Sequence, residues 1–391
     1  MSSLLEPITI GGKIPLRNRI VMGSMTRNRC LDNKPGSAQI KYYTDRAKSG
    51  TGLIVTEGTF VDWTGCDWPN TPFLITQDHA DAWKKVTDAV HDVGGKIFFQ
   101  AWHAGRCQHE EMPIMKAKGG KVLAPSAIKA EGGKYRYLPG VPGHTANLEA
   151  IVDIQAVIDT YRRACKLAKS AGFDGVEFLA QGGYLPQQFL NSRANHRIDE
   201  YGGSVENRCR FTLEVVDAMT QVLEGPEYIC VKINPTDYLN DSVVQFGEMK
   251  ETYTYLITEL VKRKVGIINL GRRGAETNAG GEYFGLVRPH EYPLPRGYDP
   301  ILDFGKLVKF PGSLTLLMAN HDYTVEEADG LIGAGQLDMI TFSRAFICNP
   351  DVVSRIMHGI PLAHNDRGST VYYGPGKTLD EDYNDWPAAS A

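Results

Sequence analysis

Gln100 follows the apolar run Ile97-Phe98-Phe99. A primary amide in such surroundings is costly to bury without a hydrogen-bonding partner, so a bound ligand is the better reading. Lys232 lies inside Ile229-Cys230-Val231-Lys232-Ile233 and would point a cation into the same interior, where it can stabilise negative charge developing on a bound group. Ala319-Asn320 and Ser343-Arg344 close two further apolar runs, and the Arg344 guanidinium has the donor fork that grips a phosphate bidentately. Tyr184, behind Gly182-Gly183, brings a phenol able to pass a proton, although a tyrosine beside two glycines is more commonly packing. The chain has no His-Glu-x-x-His, no facial His/carboxylate spacing and no Gly-x-Ser-x-Gly, so metal-assisted hydrolysis and a serine nucleophile lack support.

Residues so far apart in sequence need a scaffold that gathers them. Short β-branched and aromatic runs alternate with stretches of helical period, the mark of repeated βα units. Eight strands are expected at 19–26, 52–59, 96–103, 175–180, 228–234, 266–272, 313–320 and 339–344, with helices at 37–50, 81–94, 151–171, 205–223, 248–264, 299–309, 324–334 and 351–358. Eight units in one uninterrupted alternation favour a closed (β/α)8 TIM barrel, preceded by a short N-terminal hairpin, over an open doubly wound sheet. No Gly-x-Gly-x-x-Gly follows the first strand, and the glycines at 330–335 stand in the wrong order for a dinucleotide fingerprint. Two segments exceed the repeat, 104–150 and 271–298, both rich in Gly, Pro, Tyr and Arg. They fall on the C-terminal face, where barrel enzymes build their sites, and are expected to cap it within one domain spanning 1–391.

Composition narrows the partners. The 391 residues carry 42 basic and 46 acidic side chains, a net charge of −4, without a block of like charge. That leaves no footprint for nucleic acid or an anionic membrane. A small-molecule substrate is expected, and a monomer or homodimer, between which the sequence does not decide. Seven scattered cysteines without Cys-x-x-Cys read as reduced thiols. The N-terminus lacks a signal-peptide pattern and no run suits a bilayer, so a cytoplasmic location is expected. The glycosylation-type triplet Asn240-Asp241-Ser242 is then coincidental.

One long polar string does more. After Gly182-Gly183-Tyr184-Leu185-Pro186-Gln187-Gln188-Phe189-Leu190 come Asn191-Ser192-Arg193-Ala194-Asn195-His196-Arg197 and Asp199-Glu200-Tyr201-Gly202-Gly203-Ser204-Val205-Glu206-Asn207-Arg208. By themselves the charges of 199–208 look structural, tying a loop to a helix start. Together with Thr56-Glu57-Gly58, Gln100-Ala101-Trp102-His103, Ser343-Arg344-Ala345-Phe346 and Asn349-Pro350-Asp351, in this order, the chain resembles the Old Yellow Enzyme family over about 5–387. The resemblance implies a barrel that binds FMN, takes electrons from NADPH and reduces activated C=C bonds. It assigns Thr26 to a flavin edge, Gly58 to a close backbone approach, Gln100 to the pyrimidine portion, Lys232 to the N1/O2 edge, and Ala319, Asn320, Ser343 and Arg344 to the phosphate. Trp102 is expected to pack against the site.

The chain departs from that pattern in telling places. The family usually has arginine where Lys232 stands, and lysine loses the planar fork. Glycine is common where Ala319 and Ser343 stand, and their added Cβ atoms are expected to crowd phosphate-binding amides. The His/Asn or His/His pair that polarises an enone carbonyl falls on Leu179 and Gly182, neither of which has a side-chain donor. Loss of one such donor typically slows a reaction by ~10²–10³. Tyr184 matches the tyrosine that protonates the α-carbon; Gln181, His103 and tyrosines of the two insertions are substitutes for the missing pair, with His103 more simply a structural loop residue. Three readings stay open: reduction or redox-neutral isomerisation of a double bond in a bulky specialised metabolite, a catalytically silent flavin-binding protein, and an FMN-free isomerase or cyclase.

Overall fold

Eight parallel strands hydrogen-bond in chain order and close on themselves: β1 (Ile20–Met22), β2 (Leu53–Phe60), β3 (Ile97–Trp102), β4 (Gly175–Ala180), β5 (Ile229–Ile233), β6 (Ile267–Gly271), β7 (Leu316–Asn320) and β8 (Met339–Phe342), with β8 pairing back to β1. The computed structural model describes residues 2–132, 138, 140, 141, 143–275, 287–368, 371–374 and 376–389. Helices α1 (Ser37–Lys48), α2 (Gln77–Asp92), α3 (Ile154–Ser170), α4 (Val205–Leu223), α5 (Phe246–Lys262), α6 (Pro300–Val308), α7 (Val325–Gly333) and α8 (Val352–His358) follow the strands in turn. This is the expected (β/α)8 barrel, and every expected strand and helix has its counterpart.

Alternation along each strand sorts the side chains into two cores. One parity, including Phe99, Val176, Phe178, Val231, Ile268, Leu317 and Ile340, packs outward against the helices. The other parity fills the barrel: Val21, Leu53, Val55, Phe98, Cys230, Ile267, Met318 and Met339 form an apolar plug, sealed from below by Ile10, Ile14 and Leu16 of the N-terminal hairpin. Helix starts are capped as their sequences foretell, with Thr324 accepting from the Glu327 amide and Asp153 from that of Ala156. The 199–208 cluster is structural: Arg208 donates to the Leu190 and Gly203 carbonyls, and Arg197 pairs with Asp199 at 2.5 Å.

In the 104–150 insertion the described residues form more than a plain loop. It holds a short helix, Pro113–Lys118, and a parallel pair, Val122–Ala124 with Leu148–Ala150. Its base is pinned by buried Arg106, which donates to the carbonyl and the carboxylate of Asp241 at 3.0 and 3.3 Å. Of the 271–298 insertion, 276–286 lie outside the described residues. All seven cysteines are free and buried, in keeping with reduced thiols. Among the described residues no helix is long and apolar enough to cross a membrane.

Candidate active site

Above the apolar plug, the next inward layer is polar. Ser24 donates to Gln100 Oε1 at 2.9 Å, and Gln100 Nε2 donates to Glu177 Oε1 at 2.7 Å. From the other side Asn320 Nδ2 donates to Asn269 Oδ1 at 2.7 Å, and Asn269 Nδ2 to Glu177 Oε2 at 2.8 Å. Two donor chains from opposite walls therefore end on one carboxylate, an acceptor-only group when ionised. Gln100 is thus not without protein partners, which removes the burial argument that pointed it toward a ligand. Lys232 Nζ lies 3.8 Å from Glu177 Oε1, and the ammonium makes no hydrogen bond among the described residues. Thr341 Oγ1 and Gln181 Oε1 are likewise buried without a partner there.

Sequence reasoning missed Glu177 and Asn269. A signal existed: Gly-Val-Glu-Phe-Leu-Ala is an apolar strand broken by one carboxylate, and Ile-Ile-Asn-Leu by one amide. Neither could be linked to Gln100 or Asn320 without the barrel, since the paired residues are 51 to 92 positions apart.

The layer above is aromatic. Trp102 stacks on Phe60 at 4.4 Å and meets the Tyr184 ring edge-on at 4.9 Å. Leu179 joins them in a cluster with Trp68 and Phe73, and Tyr373 packs on Trp68 at 4.7 Å. Gly58 is explained in this structure by the indole, because a Cβ there would lie 2.3 Å from the Trp102 ring. Gly182 has φ +76°, and a Cβ on it would come 2.7 Å from Tyr184 Cε2. The position that the family resemblance assigns to a second carbonyl donor is thus covered by the tyrosine ring itself. The turn is locked from β5's loop, where Asp237 accepts the Gly182 amide at 2.8 Å and Asn240 donates to the Gly182 carbonyl at 2.6 Å. Asn240 is therefore an internal clamp, as the coincidental reading of its triplet requires.

Other expected residues fall as follows. Thr26 is half-buried but lies in the segment after β1, which ends at Met22, rather than at a strand end. Gln181 points inward, its Oε1 3.2 Å from where a Cβ on Gly271 would stand. Asn320 is buried in the polar layer. Ala319 packs outward in the helix-facing core. Ser343 is half-buried with its hydroxyl toward Gly23, and Arg344 is exposed with its guanidinium 5.6 Å from the Tyr372 ring. His103 is structural: Nδ1 accepts the Gly105 amide, Nε2 meets Thr64 Oγ1 at 3.3 Å, and burial pushes its pKa down to about 4.

Tyr372 and Tyr373 belong to a C-terminal strap that the sequence did not single out. Arg27, fully buried, donates to the carbonyls of Val371, Tyr372 and Asp382. Asn28 donates to that of Gly374 and Arg29 to that of Glu381. Under this clamp Glu57 Oε2 accepts the Arg27 amide at 3.4 Å, and burial raises the Glu57 pKa to about 7.

A closed barrel whose inward polar layer keeps unspent groups among the described residues, with aromatic rings above it, suits a flat heteroaromatic cofactor such as that of a flavin-type oxidoreductase barrel. Comparison with known proteins agrees. The sequence model of the NADH:flavin oxidoreductase / NADH oxidase family matches residues 3–363. A probable flavin mononucleotide-dependent alkene reductase of Leishmania infantum is 34% identical, covering 98% of this chain and 97% of the relative. A putative 12-oxophytodienoate reductase 5 of Oryza sativa subsp. japonica is 32% identical, covering 96% and 94%. Among solved structures, the old yellow enzyme homologue from Zymomonas mobilis superposes with a TM-score of 0.85 at 30% identity, covering 99% of this chain and 100% of that one. Morphinone reductase does so with a TM-score of 0.84 at 31%, covering 99% and 96%. The chain belongs to the NADH:flavin oxidoreductase / NADH oxidase family, as an Old Yellow Enzyme type member. It is accordingly an FMN-dependent oxidoreductase with a nicotinamide reductant.

Proposed function

We propose that this protein uses NADPH to reduce an activated C=C bond of a bulky, largely apolar substrate, and that the substrate is held by ring and aliphatic contacts rather than by a carbonyl-binding pair. The single observation carrying this reading is the Tyr184 ring lying over Gly182, beside Leu179 and Trp102, where the paired donors would otherwise stand. The relatives named for alkene and 12-oxophytodienoate reduction support the reaction class, and one relative of Aspergillus flavus, 32% identical, is named an NADP-dependent oxidoreductase.

FMN, when bound, carries two electrons between the nicotinamide and the alkene. Lys232 is assigned the pyrimidine edge with Gln100, since its ammonium makes no hydrogen bond among the described residues. Thr26 and Gly58 are assigned the ring's other contacts, and Asn320, Ser343, Arg344 and the Ala319 backbone its phosphate, at the C-terminal ends of β7 and β8 where barrels commonly bind one. Tyr184 delivers a proton from its phenol to the α-carbon. Trp102, Leu179, Gln181 and Gly182 shape the substrate wall, with the Gln181 amide the polar group left to orient a heteroatom. The two insertions, 104–150 and 271–298, cap the mouth of one flavin-binding unit in the cytoplasm, and the protein acts as a monomer or homodimer.

A redox-neutral double-bond isomerisation is the second reading. It rests on the absence of side-chain donors at Leu179 and Gly182, which weakens activation of a simple enone. Anaerobic half-reactions decide: NADPH should bleach the yellow protein, and a hydrophobic enone should restore the colour faster than cyclohexenone does. A colourless preparation that takes up no FMN refutes the proposal, and equal reoxidation by cyclohexenone refutes its account of the mouth.

A further inference from the structure

The polar layer contains one feature that flavin contacts do not explain. Glu177 is fully buried in that layer. Its two oxygens collect Gln100 Nε2 at 2.7 Å and Asn269 Nδ2 at 2.8 Å, with Cys230 Sγ at 3.6 Å and Lys232 Nζ at 3.8 Å. Two of these partners, Gln100 and Lys232, are the residues assigned to the pyrimidine edge. A third, Asn269, orients Asn320 at the opposite wall.

We infer that Glu177 is a positioning residue of the flavin layer: its carboxylate fixes which way the Gln100 and Asn320 amides face and is the counter-charge that sets how much positive charge Lys232 presents to bound FMN. The inference rests on the FMN reading above. Both amide chains donate toward the carboxylate, so their orientations follow from its having only acceptors. Glutamine in its place would bring an NH2 against one of the two incoming donors and force one chain to turn round. Carboxylate and ammonium also cancel in net charge. Lys232 is therefore half of a pair rather than the bare cation its strand position suggests, and in a water-poor interior such charges are weakly screened.

The test is the two-electron midpoint potential of bound FMN, with FMN dissociation constants measured alongside. Glu177→Gln leaves Lys232 uncompensated and should favour the reduced, anionic flavin at least tenfold, a positive shift of about 30 mV for a two-electron couple. Lys232→Met leaves the carboxylate alone and should shift the potential the other way by a similar factor. The double variant should return to within about threefold of wild type, or about 15 mV. A merely structural Glu177 would show neither the opposite signs nor the compensation. A lone buried charge can prevent folding, and if either single variant fails for that reason the neutral double variant carries the test. A potential within that range of wild type supports the inference, and one displaced by tenfold or more overturns it. A Glu177→Gln protein with wild-type potential and wild-type FMN affinity also overturns it. A colourless wild-type protein overturns the FMN reading and this inference together, whereas a yellow wild type with uncompensated shifts overturns the inference alone.

Discussion

Rebuilding a carbonyl-binding pair at Leu179 and Gly182 discriminates sharply between a mouth that has merely lost two donors and one that has been refilled. At Gly182 the structure predicts failure. A Cβ would stand 2.7 and 3.0 Å from Cε2 and Cδ2 of Tyr184, and the backbone has φ +76°. Overpacking of this kind costs about 1–3 kcal/mol, and a left-handed residue bearing a Cβ about 1 kcal/mol more, somewhat less for asparagine. Turning the ring aside also sacrifices its edge contact with Trp102, about 0.5–1.5 kcal/mol. Gly182→Asn should therefore lose about 2–5 kcal/mol of stability and move the proposed proton donor. At Leu179 the side chain packs inward among Phe60, Trp68 and Trp102 and already bears a Cβ. Leu179→His would supply one neutral, desolvated donor, and since one donor is worth ~10²–10³, a gain of about 10–100-fold on cyclohexenone is expected after imperfect placement. Anaerobic stopped-flow reoxidation and thermal unfolding of the two single variants provide the assay. A Gly182→Asn protein that reoxidises faster on cyclohexenone with an unchanged Tm would refute the steric reasoning.

Other consequences are equally measurable. Tyr184→Phe should slow flavin reoxidation by the alkene by ~10²–10⁴ while leaving NADPH-driven reduction within about twofold; equal loss in both half-reactions removes the phenol from the proton-donor role. Gly58→Ala should disturb the indole stack, because its Cβ meets the Trp102 ring at 2.3 Å, and fluorescence of the variant should show Trp102 displaced. Glu57 has its pKa raised by burial to about 7 against an ordinary value of 4.5. Between those values the folded chain binds more protons than the unfolded one, so this group's contribution to stability is full below pH 4.5 and is lost as pH rises to 7. Buried His79 and His103 and half-buried His321, each pushed down to about 4 chiefly by desolvation, act with the opposite sign over a similar range. The observable is therefore the difference between wild type and Glu57→Gln, which should change by up to about 3 kcal/mol between pH 4.5 and 7; a constant difference in chemical-denaturation stability would show that Glu57 is not held protonated.

The strap gives the Glu57 experiment a local readout. Arg27 and Asn28 receive Glu57 through their amides and hold the strap through their side chains. Arg27→Met should loosen Tyr372 and Tyr373 together, seen as faster backbone amide exchange over 371–374 than over the barrel strands. Unchanged exchange there would mean that the Tyr42 and Tyr383 packing suffices without the guanidinium.

Much of the architecture was legible in the chain itself. Eight apolar runs bounded by helical periods define eight βα units, because a strand buried on both faces and a helix with one wet face leave different repeats in a sequence. Strand positions together with the family resemblance singled out Gln100, Lys232, Asn320 and Arg344 as candidate neighbours. What only the tertiary structure decided is how those neighbours are spent. Closure brings Glu177 against Gln100 and Asn269 across 77 and 92 residues of chain, and folds the Tyr184 ring onto a glycine two residues away. Periodicity records which face a side chain leaves by, and carries no information on the distance between two side chains on different strands or on the rotamer that an adjacent ring imposes. The charge that Lys232 offers and the shape of the substrate wall are set at that second level.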